Sequence, residues 1–317
     1  EIFKLNNNSL YSFFRQGIKN LFIHTIPDSL LYYFTAQSFI KSSNPKSIIT
    51  VRQRRTFENS FMLAANNNKI KKYLMVHGTI FDEEGWLLTF GHFSNLNGIL
   101  VWGESQKETL KNFYDVTNSA IYTVGSPIFL PSKKNKDKKE EVFTILFAVG
   151  KIERYKNEVK TVISALKSTG LNYLLILKLH PSIDKKVYSH FLSNNRVKIV
   201  DEDEIIEDYF SISDLFLTKA STTVLQAMVA GLPTFMIGIN KKSIESLRRT
   251  YDFSLMEESF LVMKNIKMLS SRVKEISLSK KILEDHLKLQ EKILERNVAY
   301  YDRTSQTVIE IDKIINS

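Results

Sequence analysis

The sequence contains no cysteine. That excludes disulfides, thiolate metal sites and cysteine nucleophiles, and leaves a reducing, cytoplasmic compartment as the expectation. No apolar run reaches the ~18 residues a membrane-spanning helix needs. The start, Glu1-Ile2-Phe3-Lys4, has neither Met nor a signal-peptide pattern, so the chain is expected to be a piece of a longer one. Glycine stops at Gly238 and proline at Pro233. A C-terminal region without such breakers is predicted to be mostly helical, with Leu283, His286, Leu287, Leu289, Ile293 and Leu294 on a packing face.

What is present describes an ordinary folded chain. Its 317 residues are enough for two domains that each bury a core, and 43% hydrophobic with 25% charged residues excludes wholesale disorder. The 44 basic and 34 acidic side chains give a formal net charge of +10, which suits a phosphorylated substrate or an anionic membrane face. The basic residues are spread along the chain and are not interleaved with aromatics in a recognised motif, so nucleic acid is not expected as a partner.

Short apolar, β-branched runs alternate with helical stretches. Strands are predicted at 48–51, 72–76, 99–103 and 121–125, with helices at 58–65 and 104–113 between them. The lysine-rich segment 133–141 has nothing apolar to bury and reads as a linker. The alternation then resumes, with strands at 143–149, 173–179, 197–200, 215–217 and 234–237 and helices at 158–168, 205–210 and 222–229. Buried strands alternating with helices predict two parallel α/β sheets with helices on both faces. The expected division is a first unit at 1–132, the linker, a second unit at 142–290, and a C-terminal helical segment at 291–317.

In such sheets ligands bind beyond the carboxyl ends of the strands, where loops diverge and helix N-termini present free amides. The candidates therefore follow strands. In the first half they are Arg52 and Arg54, then His77-Gly78, where glycine permits close backbone approach and a neutral imidazole can take a proton. The carboxylates Asp82, Glu83 and Glu84 lie in the same loop and are alternative general bases. In the second half they are Gly150 and Lys151, Lys178 with His180-Pro181, and Thr218 followed by Ser221-Thr222-Thr223. One hydroxyl suffices to cap a helix; three in succession suit a phosphate.

The order of these motifs resembles GT-B glycosyltransferases of the bacterial surface-polysaccharide (capsule) type. The resemblance is carried by His77-Gly78, Val101-Trp102-Gly103-Glu104-Ser105, Val124-Gly125-Ser126-Pro127, Lys178-Leu179-His180-Pro181, the hydroxyl run 221–223, and Ala227 through Gly231 to Pro233. It implies two Rossmann-like domains, the first (1–132) on the acceptor side and the second (142–290) donor-binding, with the C-terminal helix at 291–317 packing back on the first, and transfer of a sugar from a CMP-, CDP- or UDP-linked donor to a glycan or glycolipid. It further implies an inverting reaction without an essential metal or prosthetic group. Sialyltransferase-like relatives would make Glu83 or Glu84 the base, and teichoic-acid glycerophosphotransferase-like relatives His77. A nucleotide-sugar 2-epimerase and a catalytically degenerate module share the architecture. At Gln226 many relatives place a glutamate that binds ribose, so the resemblance leaves the nucleotide open, along with the acceptor and the oligomeric state. A lipid-linked acceptor would add a peripheral contact with the anionic inner leaflet.

Overall fold

The computed structural model describes residues 4–5, 8–9, 11–51, 55–78, 96–114, 121–129, 142–150, 155–201, 203–219, 221–238 and 261–316. The expected linker at 133–141 lies outside them. After a two-residue antiparallel pairing of Lys4–Leu5 with Asn8–Ser9, the chain forms α1 (Tyr11–Asn20), one π-helical turn (Leu21–Thr25) and α2 (Ile26–Ser43). Helix α2 ends at Asn44, whose left-handed φ of 45° stops the helix while its N–H still bonds the Ile40 carbonyl. It buries Ala36 and Ile40 and leaves Leu30, Leu31 and Phe34 exposed.

The first sheet follows: β1 (Ser47–Thr50), α3 (Thr56–Asn67), β2 (Lys71–Met75), β3 (Gly98–Val101), α4 (Glu104–Tyr114) and β4 (Ile121–Thr123). Its strands are all parallel and lie in sequence order, β1-β2-β3-β4. One face packs Val76, Ile99, Val101 and Ile121 against Leu110 of α4.

The second sheet is built from β5 (Phe143–Val149), α5 (Tyr155–Thr169), β6 (Tyr173–Leu179), β7 (Val197–Val200), α6 (Ile206–Phe210), β8 (Leu215–Thr218), α7 (Thr223–Val229), β9 (Thr234–Ile237) and β10 (Val262–Met263). Its six parallel strands are ordered β10-β9-β8-β5-β6-β7. Side chains alternate between its faces as the pleat requires: Ile145, Phe147 and Val149 enter one core, and Leu146 the other.

Helices α8 (Ile266–Leu278), α9 (Lys280–Asn297) and α10 (Thr304–Asn316) end the chain. Helix α8 packs on the second sheet through Leu269, Val273 and Ile276. Helix α9 reaches between the sheets, where Ile293 and Leu294 join Trp102, Phe129, Val224 and Leu225 in one cluster. Helix α10 lays Ile311, Ile314 and Ile315 on the free face of the first sheet, against Tyr73, Leu100 and Val124.

The predicted elements of both sheets are all present, with two differences. Strands β1 to β4 stop one or two residues short of expectation, because Val51, Val76, Trp102, Gly103, Val124 and Gly125 already belong to the exit loops. The region after Pro233 is also not wholly helical. Val262 and Met263 form a short strand in parallel register with Met236 and Ile237, a tertiary pairing that no local signal encodes.

Candidate functional site

In the second sheet the first strand of the unit, β5, lies at the centre; β6 and β7 follow to one side and β8 to β10 to the other. Strand order therefore reverses between β5 and β8, and the loops leaving these two strands diverge. A crevice opens at that point, and it is where sheets of this order bind nucleotides. Gly150 leaves β5, and residues 219–223 leave β8. Thr218 ties the two strands together, its hydroxyl donating to the Ala148 carbonyl at 3.2 Å.

The hydroxyl run opens α7. Ser221 Oγ accepts the Thr223 N–H at 3.3 Å and the Thr223 hydroxyl at 2.9 Å, so part of the run does cap the helix. The Thr222 side chain makes no capping bond. It faces the first sheet instead: a Cβ placed on Gly78 would lie 3.5 Å from Thr222 Oγ1. The exit of β2 and the exit of β8 thus meet, although they come from different sheets. His77, next to Gly78, is half-buried at this junction.

Beside β5, the His180 N–H donates to the Val149 carbonyl at 3.1 Å, which fixes the His-Pro turn to the central strand. The Ser182 N–H donates to His180 Nδ1 at 3.1 Å. Nδ1 then acts as acceptor, and the neutral ring carries its proton on Nε2 as a donor. His180 and Pro181 are exposed, and Pro181, Ser182, Asp184, Lys185 and Asp201 line an open cleft of about 510 Å³ beyond β6 and β7.

Lys178 points elsewhere. Strand alternation puts it on the face opposite Leu177 and Leu179, and its Nζ donates to the Asp201 carbonyl at 2.7 Å, at the exit of β7. Gln226 donates its amide to Glu207 Oε1 at 2.8 Å, so a carboxylate of α6 stands beside the position where the resembled family has its glutamate. In the acidic loop after β7, Glu204 accepts from the Tyr209 hydroxyl, and this bond, with burial, pushes the phenol up to about 12. Lys185 pairs with Asp201. Arg52, Arg54, Asp82, Glu83, Glu84 and Lys151 lie outside the described residues.

Two residues that bear on the crevice, Glu158 and Gln106, escaped the sequence reading. Lys219, directly after β8, is paired with Glu158 in the first turn of α5, and the Glu158 side chain is 9% exposed. Lys219 stands next to the hydroxyl run and was visible there. Glu158 is 61 positions away and carries no local signal of this pairing. The other is Gln106, considered below.

No family model matches the chain. A curated relative, an uncharacterised protein of Methanocaldococcus jannaschii, is 25% identical over 248 residues, which cover 75% of this chain and 45% of that protein. The chain thus spans less than half the length of that relative. Among solved structures, a glycosyltransferase of Rickettsia africae superposes with a TM-score of 0.61 at 13% identity, covering 91% of this chain and 82% of that one. The UDP-bound MnaA of S. aureus gives 0.59 at 13% identity, with 92% and 81% covered. The wall teichoic acid polymerase TagF, an H444N form soaked with CDPG, gives 0.53 at 13% identity, with 78% and 68% covered. The fold is GT-B. In this GT-B chain the exits of the two Rossmann-like sheets meet at Gly78 and Thr222, and helices α9 and α10 return from the second sheet to the first. Among the described residues, no helix is long and apolar enough to cross a membrane.

Proposed function

We propose that the chain is a glycosyltransferase that moves a sugar from a nucleotide-activated donor to a hydroxyl of a glycan or glycolipid. The observation that carries this reading is the approach of Gly78 to Thr222 Oγ1, which brings the His77 loop of one sheet to the hydroxyl run at the switch point of the other. The donor diphosphate would lie at the exits of β5 and β8. The hydroxyls of residues 221–223, the Gly150 amide, Lys151, Lys219 and the His180 Nε2–H are chemically suited to phosphate oxygens without a resident metal. The nucleoside would extend into the cleft beyond β6 and β7. Lys178 serves there as a strut that holds the Asp201 carbonyl, not as a phosphate ligand.

In the reaction, His77 or a carboxylate of the 82–84 segment takes the proton from the acceptor hydroxyl. The oxygen attacks the anomeric carbon, and the bond to the donor phosphate breaks with inversion. Positioning and stabilisation of the leaving phosphate would supply most of the rate.

The test is the thermal stability of the purified protein with CMP, CDP, UDP, UMP, GDP and ADP. A ligand at 100 times its dissociation constant stabilises the native state by about 2.7 kcal/mol. One nucleotide is expected to raise the melting temperature selectively, and His180→Ala is expected to weaken that rise and the turnover of the matching donor. Stabilisation by CMP points to sialyl-like donors, by CDP to glycerophosphate transfer, and by UDP to hexosyl transfer. Release of free UDP with an epimerised sugar and no acceptor would replace transfer by 2-epimerisation. No response to any nucleotide would overturn the reading in favour of a non-catalytic module.

A further inference from the structure

Gln106 lies in the first turns of α4, is 5% exposed, and uses both ends of its amide. Its Oε1 accepts the Trp102 N–H at 2.9 Å, and its Nε2 donates to the Gly78 carbonyl at 3.0 Å. One side chain thus joins the exits of β2 and β3. Bridging an N–H and a carbonyl needs an acceptor and a donor on one planar group, which glutamine supplies and which an ionised glutamate, leucine or methionine cannot.

Each end of this bridge is anchored to something that matters. The Gly78 end adjoins His77 and faces Thr222. The Trp102 end is fixed to the rest of the molecule: its carbonyl accepts the Ala299 N–H at 2.7 Å, and its ring stacks edge-on against Phe129 at 4.8 Å, within the cluster that includes Val224 and Leu225 of α7. Gln106 thus ties the Gly78 carbonyl to this frame.

We propose that Gln106 is a positioning residue, which holds the His77-Gly78 peptide at a fixed place against the hydroxyl run of the second sheet. The assignment rests on the glycosyltransferase reading only in what His77 does there; the geometric claim stands on the two hydrogen bonds.

The experiment follows the His77 ring by NMR in the histidine-labelled 317-residue chain between pH 5 and 8, with the resonance assigned from its loss in His77→Gln. Wild type, Gln106→Leu and Gln106→Glu are compared. Gln106→Leu is expected to change the titration and sharpness of the His77 signal while the buried His286 signal stays in place. Turnover of the donor matched to the stabilising nucleotide should fall about 100-fold, and the nucleotide-induced rise in melting temperature should persist. Gln106→Glu supplies the internal control. When its carboxyl is protonated at low pH it can again donate to Gly78 and the His77 signal should return to wild type; once ionised it should behave like the leucine variant. A His77 signal that is identical in all three folded proteins would overturn the proposal. A wild type that binds no nucleotide would instead sink the glycosyltransferase reading and leave the His77 result to be judged by itself. Should Gln106→Leu fail to fold, the pH dependence within folded Gln106→Glu decides.

Discussion

The two sheets are built from the same kind of strand yet stand on different support. The second covers both its faces with elements close in sequence: α5 and α8 on one side, α6 and α7 on the other. Among the described residues, the first covers one face with α4, and α10, from the opposite end of the chain, packs on the other. The second sheet also contains a reversal of strand order, whereas the described strands of the first run in sequence without one. A crevice of its own is thus available to the second sheet. The first brings a loop to it, and that loop is held in place by a strap that comes from the second.

The strap is the sharpest place to break this asymmetry. Gly103 lies under the last turn of α9, where an added Cβ would be 2.4 Å from the Asn297 carbonyl carbon and 2.6 Å from the Arg296 oxygen. Both neighbours are backbone and cannot rotate away. Gly103→Ala should therefore cost about 3 kcal/mol, at the upper end of overpacking. Native-state hydrogen exchange is expected to show lost protection in β2 to β4 and α10, with β5 to β7 near wild type. Equal loss in both sheets would mean that they unfold as one unit and that the first does not depend on the strap.

The same asymmetry governs what could be read from the sequence. The strands were legible because buried parallel strands are short β-branched runs between helical stretches, and strand-exit loops were legible as candidate sites because the sheet geometry demands it. Order within the sheet was not legible, so the switch point between β5 and β8 could not be located. Lys178 stands out in the sequence from its place beside His180, but the bond of its Nζ to the Asp201 carbonyl, 23 positions away, carries no local signal. Gln106 stood one residue beyond a quoted motif, and its role depends on Gly78, 28 positions away. The Lys219–Glu158 pair and the Val262–Met263 strand likewise come from tertiary contact, which composition and spacing do not report.

Acid provides a probe of the second sheet alone. His286 is buried on α9 against Phe235, with Nε2 at 3.3 Å from the Thr234 carbonyl and its ring 5.1 Å from that of Phe235. Burial, with Arg272 nearby, lowers its pKa to about 4, against the hydrogen bonds to Gln290 and Thr234. Between that value and the ordinary 6.5 the unfolded chain binds the proton and the folded one does not. The contribution is complete above pH 6.5 and is lost as the pH falls toward 4. By pH 4.5 the loss is on the order of 2 to 3 kcal/mol. Urea midpoints at pH 7 and 4.5 should converge in His286→Gln relative to wild type. An unchanged difference would place the acid sensitivity in other groups.

The smallest effects separate the helix that covers the second sheet from the one that leads into the strap. Asn265 caps α8, its Oδ1 accepting the Met268 N–H at 2.8 Å; Ser279 caps α9, its Oγ accepting the Ile282 N–H at 3.3 Å. The longer bond is the weaker one. Asn265→Ala should cost about 1 kcal/mol and Ser279→Ala roughly half as much, by thermal unfolding. Asn265→Ala should loosen amides of α8 and its neighbour α5. Ser279→Ala frays only the start of α9, and the trapped last turn against Gly103 should keep its protection, because that end is fixed by tertiary contacts and not by the cap. Loss of protection along all of α9 in Ser279→Ala would show instead that the strap is only as firm as its first turn, and that the first sheet inherits that weakness.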